Sequence, residues 1–266
     1  MRRNLVKERW RRGEPSIGSW LALGSPLAAE VMAHAGFDWL TVDMEHNPID
    51  LAQLQSLFHA IGTTPVMPFV RVPWNDPQVL KRVLDTGAYG VVVPNVKSRA
   101  EAEVAVRACR YPPQGFRGVG SLRGVLYGGD DYYQHANEEI AVIAMIEDAE
   151  AVERAEEIVA TPGLDAVFIG PNDLAASLGV PLGLDNPHPE HRRAVARVLE
   201  AGKRAGLPVG IHCGSAEAVN QRIAEGFLWL ALSSDAGLLR GAALGAVRAL
   251  RWEPWGEASG ATRVGY

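Results

Sequence analysis

Hydrophobic positions in this chain form short runs rich in β-branched residues, and these runs recur at near-regular intervals. Longer stretches of Ala, Leu, Arg and Glu separate them, and the apolar positions in those stretches repeat with helical spacing. A short apolar run is typical of a buried strand, whereas a 3.6-residue repeat is typical of an amphipathic helix. We therefore predict strands near Ile17–Leu23, Trp39–Asp43, Val66–Arg71, Gly90–Pro94, Val142–Glu147, Ala166–Gly170, Pro208–Cys213 and Leu228–Ser233.

The helical stretches alternate with these strands, and many of them are followed by a glycine, such as Gly36, Gly62 or Gly206. Glycine is common at this position because it adopts the left-handed conformation that often ends a helix. The predicted helices are Ala28–Ala35, Leu51–Ala60, Pro77–Thr86, Ala100–Arg110, Ala149–Ala160, Pro189–Ala205, Ala216–Glu225 and Leu238–Leu250. Alternating strands and helices indicate an α/β fold with a parallel sheet.

Eight such units favour a closed (β/α)8 barrel. The rival architecture is an open doubly wound sheet, but the glycine fingerprint expected after its first strand is missing. No change in composition marks a linker, so we predict one domain over residues 1–266. Outside the repeating units we expect an exposed or frayed basic segment at 1–15, an inserted loop with functional or mobile character at 111–139, and an extended arm at 252–266.

Charge, the N-terminal sequence and the cysteines indicate which partners and which cellular compartment to expect. The net charge is −5 and the pI is about 5.8, and no basic stripe is present to neutralise phosphates, which argues against a nucleic-acid or anionic-membrane partner. The start of the chain has neither the apolar run of a signal peptide nor the length of a spanning helix, which predicts a cytoplasmic protein. Cys109 and Cys213 have no paired spacing and are expected to be reduced, buried residues.

Polar side chains accumulate where the predicted strands end. Asp43, Glu45 and His46 follow the second strand within four residues, and Arg71 ends the third. Because the carboxyl ends of barrel strands converge on one face, these side chains are expected to share one mouth with two further groups. Those groups are Glu147, which ends the fifth strand, and the turn Gly170-Pro171-Asn172-Asp173 after the sixth.

Glu147 and Asp173 supply the carboxylate oxygens that Mg²⁺ and Mn²⁺ prefer, with no cysteine nearby. A purely structural interpretation is open for both, since Glu147 could cap a helix and Asp173 could favour a helix start. Pro171 suits the first position of a helix, so the backbone N–H groups of residues 172–174 are expected to face outward, where they would bind a carboxylate or phosphate. A small 2-oxo acid suits that combination, with Arg71 beside its keto oxygen to stabilise an enolate.

The four lysines bear on the alternative chemistry, a Schiff-base aldolase. Lys7 lies in the N-terminal segment, while Lys81 and Lys203 fall inside predicted helices. Only Lys97, after the fourth strand, could approach the mouth, and its neighbours have the composition of an ordinary helix start. We therefore expect no Schiff-base lysine and favour enolate chemistry assisted by a metal ion.

Several motifs together resemble one family. DMEH at 43–46, VRVPWND at 70–76, LDTGAYGVVVPNV at 84–96, RYPPQGFRGVG at 110–120, MIED at 145–148 and FIGPNDLAASLG at 168–179 are similar in content and order to the HpcH/HpaI family of class II pyruvate aldolases. The resemblance runs from about Gly18 to about Leu250. It implies a TIM barrel of the phosphoenolpyruvate/pyruvate type, a divalent ion such as Mg²⁺, Mn²⁺ or Co²⁺, and reversible cleavage of 4-hydroxy-2-oxo acids to pyruvate, or a close analogue, and an aldehyde.

The resemblance also implies roles for single residues. Glu147 and Asp173 match the metal ligands, Arg71 the group on the pyruvate oxygen, and His46 the base. Asp85 matches the carboxylate that pairs with this base. The remaining matches are Trp20 near the aldehyde pocket, Asp43 and Glu45 as supporting carboxylates, and Asn172 beside pyruvate, where relatives commonly carry Ala or Ser.

Two other functions stay open at this point. One is a related carbon–carbon lyase or a phosphoenolpyruvate-type mutase, which would use the same ion and 2-oxo acid site. The other is a metabolite-binding barrel without catalysis. The resemblance further implies a homo-hexamer built as a trimer of dimers, and small molecules as the other partners.

Overall fold

The structure, a computed structural model, describes residues 1–251, so the predicted arm at 252–266 lies outside the described residues. Eight parallel strands form a closed barrel in sequential order, and the last pairs with the first. They are β1 (Ser16–Leu21), β2 (Trp39–Asp43), β3 (Met67–Arg71), β4 (Gly90–Val93), β5 (Ala141–Ile146), β6 (Ala166–Ile169), β7 (Val209–Cys213) and β8 (Trp229–Ser234). The predicted (β/α)8 barrel is confirmed, and each strand lies within two residues of its expected bounds.

Thirteen helices accompany the strands in residues 1–251; the first precedes β1, the last follows β8, and the others connect consecutive strands. They are α1 (Leu5–Arg11), α2 (Pro26–Ala33), α3 (Leu51–Ile61), α4 (Pro77–Asp85), α5 (Arg99–Cys109), α6 (Leu122–Gly128), α7 (Tyr132–Glu139), α8 (Ala149–Glu153), α9 (Ala155–Val159), α10 (Pro171–Ser177), α11 (Pro189–Ala205), α12 (Ala216–Glu225) and α13 (Asp235–Ala249). The single helix predicted at 149–160 is divided at Arg154, where the backbone leaves helical geometry. Side-chain caps begin most of these helices, for example Asp50 on α3 and Ser215 on α12.

Alternation along the strands sets which residues fill the barrel. Trp39, Phe69, Phe168 and Trp229 point inward and pack together, with ring centroids 4.7 Å apart for the pairs Trp39–Trp229 and Phe168–Trp229. Glycine leaves room for these rings, since a Cβ atom at Gly210 would lie 2.6 Å from the Phe168 ring. Because side chains alternate with a period of two, inward positions further along the strands lead to the mouth at their carboxyl ends.

The N-terminal segment is ordered against the opposite end of the barrel, so the prediction of an exposed or frayed segment is wrong. Trp10 on α1 is buried against Trp229, and its indole N–H lies 3.1 Å from both Ser16 Oγ and Leu228 O. Lys7 is also buried and forms an ion pair of 2.6 Å with Asp165. Val6 and Trp10 are four residues apart and lie on the same face of α1, which packs against the barrel. The basic residues around them led to the prediction of an exposed segment.

The 111–139 stretch is not a mobile loop either, because α6 and α7 occupy most of it. Arg117 within its GFRGVG segment is buried, and its Nη2 donates hydrogen bonds to Asp85 Oδ1 at 3.0 Å and Tyr132 Oη at 3.1 Å. Tyr111 stacks on the same guanidinium at 4.6 Å. Tyr111, Tyr132 and Ala136 in this stretch are buried in the core outside the barrel.

Trp10→Ala is predicted to lower the free energy of unfolding by about 3–5 kcal/mol, because a large buried aromatic side chain and its packing are lost. Arg11→Ala, at an exposed position of the same helix, is the matched control and should change stability by less than about 0.5 kcal/mol. Urea unfolding followed by circular dichroism measures both. Equal stability of the two variants would contradict the buried placement of α1.

Candidate active site

The predicted site residues meet at the carboxyl ends of the strands. Asp43 ends β2 and pairs in register with Arg71, which ends β3. Glu147 directly follows β5, and the side chain at this position lies against Gly170, which follows β6. These positions continue the inward alternation of the barrel core, which is why strand ends that are distant in sequence form one mouth.

Arg71 is held on two sides by carboxylates. Its Nε donates a hydrogen bond of 2.8 Å to Asp43 Oδ1, and its Nη1 lies 3.2 Å from Glu45 Oε2 as an ion pair. The guanidinium also lies over Trp20, with Cζ 4.7 Å from the ring centroid. Nη2 has no hydrogen-bond or ion-pair partner within residues 1–251, so Arg71 keeps one donor edge for a ligand.

Asp43 organises the turn after β2. Besides Arg71, it accepts hydrogen bonds from the Glu45 backbone N–H at 3.1 Å and from Asn47 Nδ2 at 2.7 Å. Burial opposes ionisation of this carboxyl, but Arg71 outweighs it and holds the pKa of Asp43 below its usual value. Asp43 therefore stays charged and fixes the guanidinium.

Glu147 has the opposite electrostatics. It is 4% exposed, and burial, reinforced by the nearby charges of Asp173 and Glu45, raises its pKa to about 7. Its Oε1 accepts a hydrogen bond of 2.7 Å from the Asn95 backbone N–H, and no other hydrogen bond to this carboxylate is present in residues 1–251. Burial also raises the pKa of Glu45, to about 6. Carboxylates that repel one another in this way are suited to a cation.

Glu147 and Asp173 could bind a cation, with water or substrate oxygens as the remaining ligands. The described chain contains no cluster of three or more His, Cys, Asp or Glu positioned as metal ligands. Mg²⁺ commonly binds through one or two carboxylates and keeps its other positions for water and substrate oxygens. The buried Glu147 and the exposed Asp173 in the first turn of α10 fit that pattern, with all-oxygen donors and excess negative charge.

The turn that carries Asp173 departs from prediction in one detail. Pro171 is the first residue of α10, as expected, but the Leu174 N–H donates to Gly170 O at 3.0 Å. It therefore does not face outward with those of Asn172 and Asp173. The Asn172 side chain is also engaged, because its Oδ1 accepts a hydrogen bond of 3.0 Å from the Gly183 N–H. Its Nδ2 is the group left for a substrate.

His46 and Asp85 do not meet within one chain. The His46 side chain is 59% exposed, and its Nε2 lies 3.7 Å from Glu45 Oε2. Asp85 is the last residue of α4, a helix that leads away from the mouth, and its carboxylate contacts Arg117 instead. The position of Asp85 after a helix was visible in the sequence, but the direction in which that helix runs was overlooked.

Two supporting residues were missed in the sequence. Asn95, which holds Glu147, has a φ of 53°, and asparagine tolerates that left-handed conformation better than most residues. His191 is fully buried, with Nε2 2.9 Å from Pro171 O at the start of α10. Its spacing on the inner face of α11, three residues before Ala194 and four before Val195, was the available signal.

Comparison with known proteins decides the family. Residues 16–242 match the family model described as HpcH/HpaI aldolase/citrate lyase. The chain belongs to the HpcH/HpaI aldolase/citrate lyase family. It is 44% identical over 240 residues to the hydroxypyruvate/pyruvate aldolase of Paraburkholderia phytofirmans, covering 87% of this chain and 92% of that protein.

Other relatives agree with this assignment. The 4-hydroxy-2-oxo-heptane-1,7-dioate aldolase of Klebsiella pneumoniae is 40% identical over 243 residues, covering 90% of this chain and 91% of that protein. A crystal structure of a HpcH/HpaI aldolase/citrate lyase family protein from Burkholderia cenocepacia superposes with a TM-score of 0.87 at 44% identity, covering 92% of this chain and 98% of that one.

Family membership confirms the predicted resemblance, the barrel and the activity class. The two curated relatives described above are named aldolases, which are lyases, and the family depends on a divalent metal ion. No helix in residues 1–251 has the length and apolar content needed to cross a membrane.

Glu147→Gln is predicted to stabilise the metal-free protein at high pH. The pKa of Glu147 rises from 4.5 to about 7 on folding, so its stabilising contribution is present below pH 4.5 and is lost as the pH rises towards 7. In EDTA, the variant should nearly match the unsubstituted protein at pH 5 and exceed its unfolding free energy by about 1–3 kcal/mol at pH 8. Chemical denaturation at the two pH values measures this.

Glu217→Gln, at an exposed position on α12, is the control and should behave alike at both pH values. A difference between Glu147→Gln and the unsubstituted protein that is equal at pH 5 and pH 8 would show that charge on Glu147 is not the cause.

Proposed function

We propose that this protein is a divalent-metal-dependent aldolase that reversibly cleaves a 4-hydroxy-2-oxo acid into pyruvate, or a close analogue, and an aldehyde. The observation that carries the proposal is the arrangement of opposite charges at the mouth. Arg71 has one unpaired donor edge and acts electrostatically on Glu147, and neither Glu147 nor Asp173 forms an ion pair within residues 1–251. A 2-oxo acid has oxygens for both kinds of group.

Glu147 and Asp173 would hold the ion, with Mg²⁺, Mn²⁺ and Co²⁺ as candidates. When bound, the ion acts as a Lewis acid that draws electron density from the keto group of the substrate. Arg71 donates a hydrogen bond to the same keto oxygen and stabilises the negative charge of the enolate. Asp43 and Trp20 keep the guanidinium in place, because they fix its Nε and its planar face.

His46 is the proposed base. In the cleavage direction it accepts the proton of the C4 hydroxyl, the C3–C4 bond breaks, and its electron pair enters the enolate as the aldehyde leaves. Protonation at C3 then gives the 2-oxo acid product. In the synthetic direction the base removes a proton from C3. The exposure of His46 at the rim is suited to exchange of this proton with solvent.

Pairing of His46 with Asp85 requires a second copy of the chain, because one chain does not bring them together. This supports the proposed homo-hexamer, a trimer of dimers. Exposed apolar side chains on two adjacent helices, α2 and α13, give such an assembly a surface to bury; they are Leu27, Val31, Leu239 and Leu244. A cytoplasmic location is part of the same proposal.

Schiff-base chemistry is not favoured by the lysines. Lys97, the one near the mouth by sequence, forms an ion pair with Asp148. Lys7 is buried at the other end of the barrel. Relatives that are 40–44% identical to this chain carry different substrate names, so family membership does not specify the aldehyde.

Exchange of the pyruvate methyl protons in D₂O tests enolate formation without a chosen aldehyde. Proton NMR should show loss of the methyl signal with Mg²⁺, none with EDTA, and recovery when Mg²⁺ is returned. Exchange that survives EDTA would implicate a lysine, and no exchange with any of the three ions would favour a mutase or a binding protein.

Two variants should separate base from metal site. His46→Ala is expected to lose exchange by at least about 100-fold while keeping Mn²⁺ affinity, because the base is removed but the carboxylates are intact. Asp173→Asn is expected to weaken Mn²⁺ binding, measured by calorimetry, by at least about tenfold. A fully active His46→Ala protein would exclude His46 as the base.

A further inference from the structure

His212 lies inside the mouth, although the proposed mechanism assigns it no part. On β7, Gly210 and His212 face the barrel interior, whereas Ile211 and Cys213 pack in the outer layer. The imidazole adjoins Trp20, with ring centroids 6.0 Å apart. Since the same indole carries Arg71 at 4.7 Å, His212 and the proposed keto-oxygen donor flank one aromatic surface.

The hydrogen bonding of His212 fixes its tautomer. Nε2 lies 3.2 Å from Ser233 O, and a carbonyl oxygen only accepts hydrogen bonds, so Nε2 carries the proton. Burial lowers the pKa of His212 to about 4, which keeps the ring neutral near pH 7. Nδ1 therefore has a lone pair, and no residue in the described part of the chain donates to it.

The backbone that receives this hydrogen bond is itself constrained. Ser233 has a φ of 52°, a left-handed conformation uncommon for serine, and its carbonyl also lies 3.3 Å from Ser19 Oγ. Strained backbone that is held by several contacts occurs preferentially at functional sites. Here the Ser233 carbonyl binds Nε2 of His212 and leaves Nδ1 without a hydrogen bond from the described chain.

An unprotonated Nδ1 selects the chemistry of its ligand. It attracts an uncharged group that donates a hydrogen bond, such as a hydroxyl, and offers nothing to a carboxylate or phosphate. The methyl group of pyruvate has no hydrogen-bond donor for Nδ1.

We propose that His212 determines donor specificity, because its Nδ1 accepts a hydrogen bond from the C3 hydroxyl of a 3-hydroxy-2-oxo acid. This inference rests on the proposed aldolase function and specifies its donor. In a 2-oxo acid whose keto oxygen contacts Arg71, C3 is bonded to the keto carbon, and Arg71 and His212 both adjoin the Trp20 ring. Donors with a C3 hydroxyl are then preferred to pyruvate.

Three substitutions separate recognition from structural support. His212→Phe keeps the ring size but removes both nitrogens. His212→Asn keeps an acceptor near the Nδ1 position and loses the contact with Ser233, whereas His212→Gln extends a donor towards Ser233 O and loses the Nδ1 acceptor. Recognition by Nδ1 predicts rescue by Asn, and a supporting role through Ser233 predicts rescue by Gln.

The measurement is kcat/KM for C3 proton exchange in D₂O with Mg²⁺, using hydroxypyruvate and pyruvate as probes and subtracting exchange without enzyme. The ratio of hydroxypyruvate to pyruvate should fall at least about tenfold in His212→Phe and His212→Gln and stay within about threefold in His212→Asn. Circular dichroism and Mn²⁺ affinity verify that each variant is folded.

The opposite pattern, rescue by Gln and not by Asn, overturns the inference, as does an unchanged ratio in His212→Phe. A changed preference between glycolaldehyde and acetaldehyde, with the exchange ratio unaltered, would assign the hydroxyl to the aldehyde and also overturn it. Exchange of pyruvate but not hydroxypyruvate by the unsubstituted enzyme refutes this inference alone, whereas exchange of neither refutes the proposed function as well.

Discussion

Closure of the parallel sheet, with β8 paired to β1, is the constraint on which the site depends. In a closed barrel each strand presents alternate side chains to the interior, so the identity of the inward residues is set by register. Aromatic rings fill the barrel centre, and further inward positions along the strands emerge at the carboxyl end as Asp43, Arg71, Glu147 and His212. Active-site geometry is therefore a consequence of core packing.

The carboxylates at the carboxyl end of the barrel differ in how well a nearby positive charge stabilises them. The interaction with Arg71 keeps Asp43 ionised. Glu147 is buried near other carboxylates, which raises its pKa. A single guanidinium cannot neutralise all of them, which gives a divalent cation its place. The same low-dielectric environment that raises the pKa of Glu147 also strengthens the interaction of Arg71 with developing negative charge on a substrate.

Local patterns and tertiary context contributed differently to the prediction. The strands and most of the outer helices could be predicted because alternation and helical repeats reflect burial directly. The N-terminal helix was not predicted because basic residues surround its buried face, and the 111–139 stretch was predicted as a loop although Arg117 within it is buried. Both are cases where a charged or flexible-looking segment is ordered by partners far away in the sequence, such as Asp165 for Lys7 and Asp85 for Arg117.

By itself, the sequence determined the eight βα units, the family and the residues that reach the strand ends, since these follow from periodicity and from motifs that lie along the chain. Only the tertiary structure decided which of those residues meet. It joined Asp43 to Arg71, kept Asp85 away from His46, and set the tautomer of His212 through the carbonyl of Ser233. Hydrogen-bond partners and burial depend on distances across the barrel, and the order of residues along the chain does not specify them.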